Sequence, residues 1–231
     1  MIMATIENGL QAVKSRVAAA LAEAGRAERE IVLVAVSKGQ TAAAMRAAFA
    51  AGQRDFGENY VQEALAKMDE LADLRITWHF IGPIQSNKTR AVAERFDWVH
   101  SVDRLKIAER LSAQRGPQQA PLEVCIQVNV SGEASKSGCR PEDAAALADA
   151  VARLPRLRLR GLMAVPEPGP DRALQRERFR TVRGIFDALN VRGLGLDTLS
   201  MGMSADLEAA IEAGSTMVRV GTAIFGERRP A

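Results

Sequence analysis

Short apolar runs rich in valine and isoleucine alternate along this chain with longer segments of helical spacing, and no other feature restricts the fold as much. The runs fall at about 31–37, 76–82, 97–102, 122–130 and 157–165, with shorter ones at 54–57, 197–201 and 216–221. Helix-like segments occupy about 41–51, 59–72, 87–95, 103–114, 141–153, 171–189 and 204–213. That makes eight strands with a helix after each of the first seven. Strand–helix–strand units close as right-handed crossovers onto a parallel sheet. Eight of them in 231 residues predict one α/β domain over 1–231, a single (β/α)8 TIM barrel at about 31–226. A doubly wound open sheet is the competing reading, because the second and seventh runs are short. Upstream, Ile6, Leu10, Val13, Val17 and Leu21 recur every three or four residues. That spacing predicts an extra amphipathic helix over about 5–24, which Gly25 can close. No linker divides the chain, and "PEPGPD" at 166–171 reads as the loop after the sixth strand.

Composition narrows the functional classes. Hydrophobic residues make up 47%, enough for a large core. Lys and Arg number 31 against 28 Asp and Glu, and the arginines are dispersed, so no nucleic-acid partner is expected. Cys125 and Cys139 lack metal-ligand spacing, and His79 and His100 are too few for a His-rich site, so no metal is expected. Cys125 sits in an apolar run and reads as a buried thiol. No segment approaches the roughly 20 apolar residues of a membrane span. The start, "MIMATIENGLQ", lacks the basic-then-apolar order of a signal peptide. The expectation is a cytoplasmic monomer without a membrane partner.

Barrel enzymes carry their chemistry at the carboxyl ends of the strands. The first such end is Ser37-Lys38-Gly39. A lysine there is either a solvated strand terminus or, when partly desolvated, an amine able to form a Schiff base with an aldehyde. After the seventh strand come Ser200, Met201, Gly202 and Ser204, then a helix with Asp206 in its first turn; after the eighth come Gly221 and Thr222. Phosphates in barrels often sit at these two loops, on backbone N–H groups near a helix N-terminus. Taken singly, Ser204 also reads as a helix cap and Gly221-Thr222 as a turn. In "MVRVG", Arg219 points into the barrel if Val218 and Val220 pack outward, and outward if the phase is reversed. A phosphate cradle beside a Schiff-base lysine points to pyridoxal 5′-phosphate (PLP).

The stretches "VAVSKGQ", "FGENYVQE", "WHFIGPIQSNK", "VNVSGEASKSG", "RGLMA" and "LSMGMSADLEAAIEAGSTMVRVGTAIFG" cover most of the barrel. In order and spacing the chain resembles the pyridoxal phosphate homeostasis proteins, which share the barrel of the alanine racemase N-terminal domain. The resemblance implies that Lys38 carries PLP as a Schiff base. It implies that the Ser200–Ser204 turn, Met201 included, holds the phosphate together with Gly221 and Thr222. It places Asn59 near the cofactor and Arg219 against its ring or its phosphate. Lys136, in the loop after strand five, matches a lysine the family places near the barrel mouth; otherwise it is a solvated loop lysine.

The function so implied is vitamin B6 homeostasis: buffering PLP or delivering it to apo PLP enzymes, without turnover. Racemases of this fold add a second domain that supplies a base, whereas this chain ends at Ala231 and offers only Tyr60 and His79 as bases. A weak stand-alone racemase and a Schiff-base aldolase acting on a sugar phosphate are the alternatives. A protein-interaction module would leave Lys38 and the cradle unexplained.

Overall fold

The computed structural model describes residues 2–133, 136–167, 169 and 171–226. Eight parallel strands form a closed barrel in sequence order: β1 (Val32–Val36), β2 (Asp55–Glu58), β3 (Thr77–Phe80), β4 (Trp98–Val102), β5 (Leu122–Gln127), β6 (Leu157–Met163), β7 (Thr198–Ser200) and β8 (Met217–Val220). Closure is made by β8 on β1, with Val32 opposite Met217 and Ala35 opposite Val220. This removes the open-sheet alternative. Around the barrel run α1 (Ile2–Glu23), α2 (Ala42–Ala50), α3 (Val61–Glu70), α4 (Thr89–Arg95), α5 (Leu105–Gln114), α6 (Ala144–Ala152), α7 (Arg172–Val191), α8 (Leu207–Glu212) and α9 (Thr222–Phe225).

Local chemistry sets the helix ends. Thr41 Oγ1 accepts from Ala44 N at 3.2 Å and starts α2 directly after the Lys38 turn. Asp171 caps α7 through Ala173 N and Leu174 N. Gly25, at φ +66°, closes α1, and Arg26 N returns to Leu21 O at 2.8 Å. The buried face of α1 carries Ile6, Leu10, Val13, Val17 and Leu21, as its periodicity predicts. It packs on α2, α8 and α9, and Gly9 lets it approach closely: a Cβ there would stand 2.6 Å from Ile224 O.

Several element ends shift from the sequence expectation, and two differences bear on the site. The apolar run at 122–130 leaves the barrel at Gln127. Asn129 accounts for this, because its side chain accepts from Ser131 Oγ and Gly132 N and donates to Glu133 O and Lys136 O. Such side chain–backbone bonds compete with a strand ladder. The short α9 after β8 was also not anticipated; four residues are too few to show helical periodicity.

The main apolar cluster lies between the strands and the helices and includes Phe56, Phe80, Ile126, Met45, Ile107 and Phe179. Val218 and Val220 belong to it, so Arg219 between them faces the barrel interior.

Candidate functional site at the carboxyl end of the barrel

Lys38 follows the end of β1 within a tight turn, in which Gln40 N donates to Ser37 O at 3.0 Å and Gly39 adopts φ +71°. The turn is gripped from α3. Lys67, itself buried, donates to Ser37 O at 2.7 Å, to Glu58 Oε1 at 2.8 Å and to Glu63 Oε1 at 2.6 Å. Glu63 Oε1 also accepts from Gly39 N at 2.6 Å, and Glu58 Oε1 from Ser37 Oγ at 2.6 Å. The backbone on both sides of Lys38 is thus tied to one ion cluster. Burial raises the Glu58 carboxyl above its ordinary value, against the opposing pull of Lys67 and Ser37.

Arg219 is almost fully buried and donates from Nη1 to Ser200 Oγ and from Nη2 to Ala164 O at 2.9 Å. Burial pushes its guanidinium down to about 10, while Asp206 and Cys125 oppose that shift. It therefore stays charged at neutral pH. Behind it, Ser200 Oγ lies 2.7 Å from His100 Nδ1, His100 Nε2 lies 2.9 Å from His79 Nδ1, and His79 Nε2 lies 3.0 Å from Asp55 Oδ1.

A cavity of about 260 Å³ opens at this end of the barrel, and its lining includes Lys38, Ser204, Arg219, Gly221 and Thr222, with Val36, Gln40, Met203, Ala205 and Gly226. Five residues singled out in the sequence therefore meet in one place. Ser200 and Met201 lie beneath that wall, fully buried. Asn59 lines a neighbouring cavity of about 290 Å³ with Tyr60 and Lys88. Its Oδ1 is buried and has no hydrogen-bond partner among the described residues. Lys136 sits 3.3 Å from Glu133 Oε1 and is not part of the lining. A larger cavity of about 370 Å³ between α1, α7 and α8 contains neither Lys38 nor Arg219.

Backbone geometry shapes the two loops after β7 and β8. Gly202, at φ +96°, lets the chain turn after β7, and Met203 N donates to the Asp206 carboxylate before α8. Asp206 stands one position before α8 rather than inside its first turn, and its side chain makes no bond to the helix N–H groups. At the other loop, a Cβ on Gly221 would stand 3.0 Å from Val36 O, so this glycine seats the end of β8 against the end of β1. The first N–H groups of α9 lack partners within the helix, as at any helix start, and Gly221 precedes them. Amine, guanidinium, two hydroxyls and these N–H groups together suit an anionic ester that carries a carbonyl.

The family model described as "Alanine racemase, N-terminal domain" matches residues 9–229. The pyridoxal phosphate homeostasis protein of Pseudomonas aeruginosa is 63% identical over 226 residues, covering 98% of this chain and 97% of its own length. The Escherichia coli K12 protein of the same name is 53% identical over 229 residues, covering 98% of both. The chain belongs to the pyridoxal phosphate homeostasis protein family. Among solved structures, PipY of Synechococcus elongatus with PLP bound is 41% identical at a TM-score of 0.80, covering 91% of this chain and 100% of that one. Alanine racemase from Corynebacterium glutamicum shares the fold at a TM-score of 0.73 and 16% identity, covering 97% of this chain and 62% of its own.

Sequence reasoning missed the Glu58–Glu63–Lys67 cluster and the file from Ser200 to Asp55. The first left a trace, since Glu63 and Lys67 are four apart on a helix. The second left none, because its members lie on four strands whose register no single segment reveals.

Proposed function

We propose that this family member binds PLP at the Lys38 cavity and buffers it or delivers it to apo PLP enzymes in the cytoplasm, without turning over a substrate. The observation that carries this reading is the meeting of Lys38, Arg219, Ser204, Gly221 and Thr222 around one cavity. When bound, PLP supplies an aldehyde that a lysine amine converts to a Schiff base with release of water. Lys38 is positioned for that role by the grip on Ser37 and Gly39. Ser204, Thr222 and the first N–H groups of α9 are the phosphate ligands, and Arg219 supplies a fixed positive charge. Asn59 and Lys136, outside that lining, are the further candidates for contact with the cofactor, and the buried Ser200 supports Arg219.

Two placements favour carrying over catalysis. Tyr60 and His79, the bases considered from sequence, are not among the residues that line the cavity. His79 is fully buried, with one ring nitrogen against His100 and the other against Asp55. A general base must lie within hydrogen-bond reach of its proton. Both cysteines are free thiols, as a reducing compartment favours.

The test mixes PLP-loaded protein with an apo PLP enzyme and follows reactivation. Reactivation faster than spontaneous release allows is the expected result. Exchange of amino-acid α-protons in deuterated buffer, well above that with free PLP and lost in Lys38→Ala, would make the protein an enzyme instead.

A further inference from the structure

The hydrogen-bonded file behind Arg219 runs through the barrel interior. Its members come from β8 (Arg219), β7 (Ser200), β4 (His100), β3 (His79) and β2 (Asp55). Ser200 is the last residue of β7 and Asp55 the first of β2. The direction of each bond follows from what each group can do. Arginine only donates, so Ser200 Oγ accepts from Arg219 Nη1. The serine hydrogen is then directed at His100 Nδ1. His100, accepting at Nδ1, carries its proton on Nε2 and donates to His79 Nδ1. His79 likewise carries its proton on Nε2 and donates to the Asp55 carboxylate.

The reverse arrangement, with His79 as an imidazolium, would leave the buried serine hydroxyl hydrogen without an acceptor. It would also place a cation in a fully buried ring stacked on Trp98, whose other neighbour is the Arg160 guanidinium, 5.0 Å from the indole. Burial holds His100 well below its ordinary value, with His79 and Arg219 pushing the same way, in keeping with a neutral ring.

We propose that His100, His79 and Asp55 are positioning residues for Arg219. The file fixes the Ser200 hydroxyl as an acceptor, and that acceptor, with Ala164 O, sets where the guanidinium sits on the cavity wall. Protons do not travel along it, since a guanidinium near 10 does not give its proton to a carboxylate. The arrangement is static: a carboxylate on β2 holds a cation on β8 through two histidines and a serine.

The test has two arms. In protein labelled with 15N at histidine and free of PLP, both rings should be neutral with the proton on Nε2 at pH 7. A proton on Nδ1 of either ring, or an imidazolium at either, overturns the proposal. The second arm rests on the PLP reading above. PLP affinity is measured for the wild type, Asp55→Leu, Arg219→Gln and the double variant. Asp55 is partly exposed and is not among the residues that line the cavity, so its replacement leaves the lining side chains in place. Asp55→Leu should weaken binding about three- to tenfold with Arg219 present and leave it unchanged in Arg219→Gln. Equal loss in both backgrounds means a general effect on the barrel and overturns the proposal, as does no loss in either. If the wild type fails to bind PLP, the functional reading falls, and the histidine spectra decide the file by themselves.

Discussion

Single residues at the strand ends are the candidates for the chemistry, and five of them that the sequence singled out line one cavity. Lys38 and Arg219 stood out because a strand allows only two facings and its end is marked by a change from apolar to polar residues. Gly221 was legible as a small residue, but its reason was only half visible: the structure shows it packed against the end of β1 as well as beside the cradle. Gly221→Val should therefore do two things at once. It should lower stability by about 1–3 kcal/mol through overpacking, and it should displace the segment that leads into Lys38. Denaturant unfolding and PLP titration measure the two effects separately. Thr222→Ala should leave stability near wild type, because the residue is exposed, and weaken PLP binding by about 1–3 kcal/mol if its hydroxyl reaches the phosphate.

Between elements, α3 acts on β1 through charges. Replacing Lys67 by Met removes the partner of a buried carboxylate and should cost about 3–5 kcal/mol at neutral pH. The pH dependence has a definite sign. Glu58 has a raised carboxyl in the folded protein, so it favours folding most at low pH and loses that contribution as pH rises through its folded value. Lys67 opposes this rise, so its removal enlarges it. The Lys67→Met penalty should be smaller at pH 5 than at pH 8 in urea melts, and an equal penalty at both would contradict the account. Glu63→Gln should instead loosen the turn, read as faster amide exchange at Gly39. The helical spacing of Glu63 and Lys67 was visible in the sequence. Their grip on a turn 24 and 30 residues earlier was not, because it depends on how α3 lies across the end of β1.

For the whole molecule, strand–helix alternation pointed to an eight-stranded parallel sheet, and apolar spacing pointed to the extra helix on its outside. The short second and seventh strands left closure open in the sequence; pairing of β8 with β1 decides it. The seam between β6 and β7 depends on Gly161, which lies opposite Thr198: a Cβ there would stand 1.7 Å from Thr198 O. Gly161→Ala should force the strands apart and destabilise the barrel by about 1–3 kcal/mol or more, seen as a lower midpoint in denaturant. The interior file was illegible for the same reason that makes the barrel work, since closure brings together strands distant in sequence. The central claim, that this mouth holds PLP on Lys38, is tested most directly by borohydride reduction of the PLP-treated protein followed by peptide mass mapping. One pyridoxyl adduct on the peptide containing Lys38, absent in Lys38→Ala, is the predicted result. No adduct, or an adduct on Lys136 in place of Lys38, would contradict it.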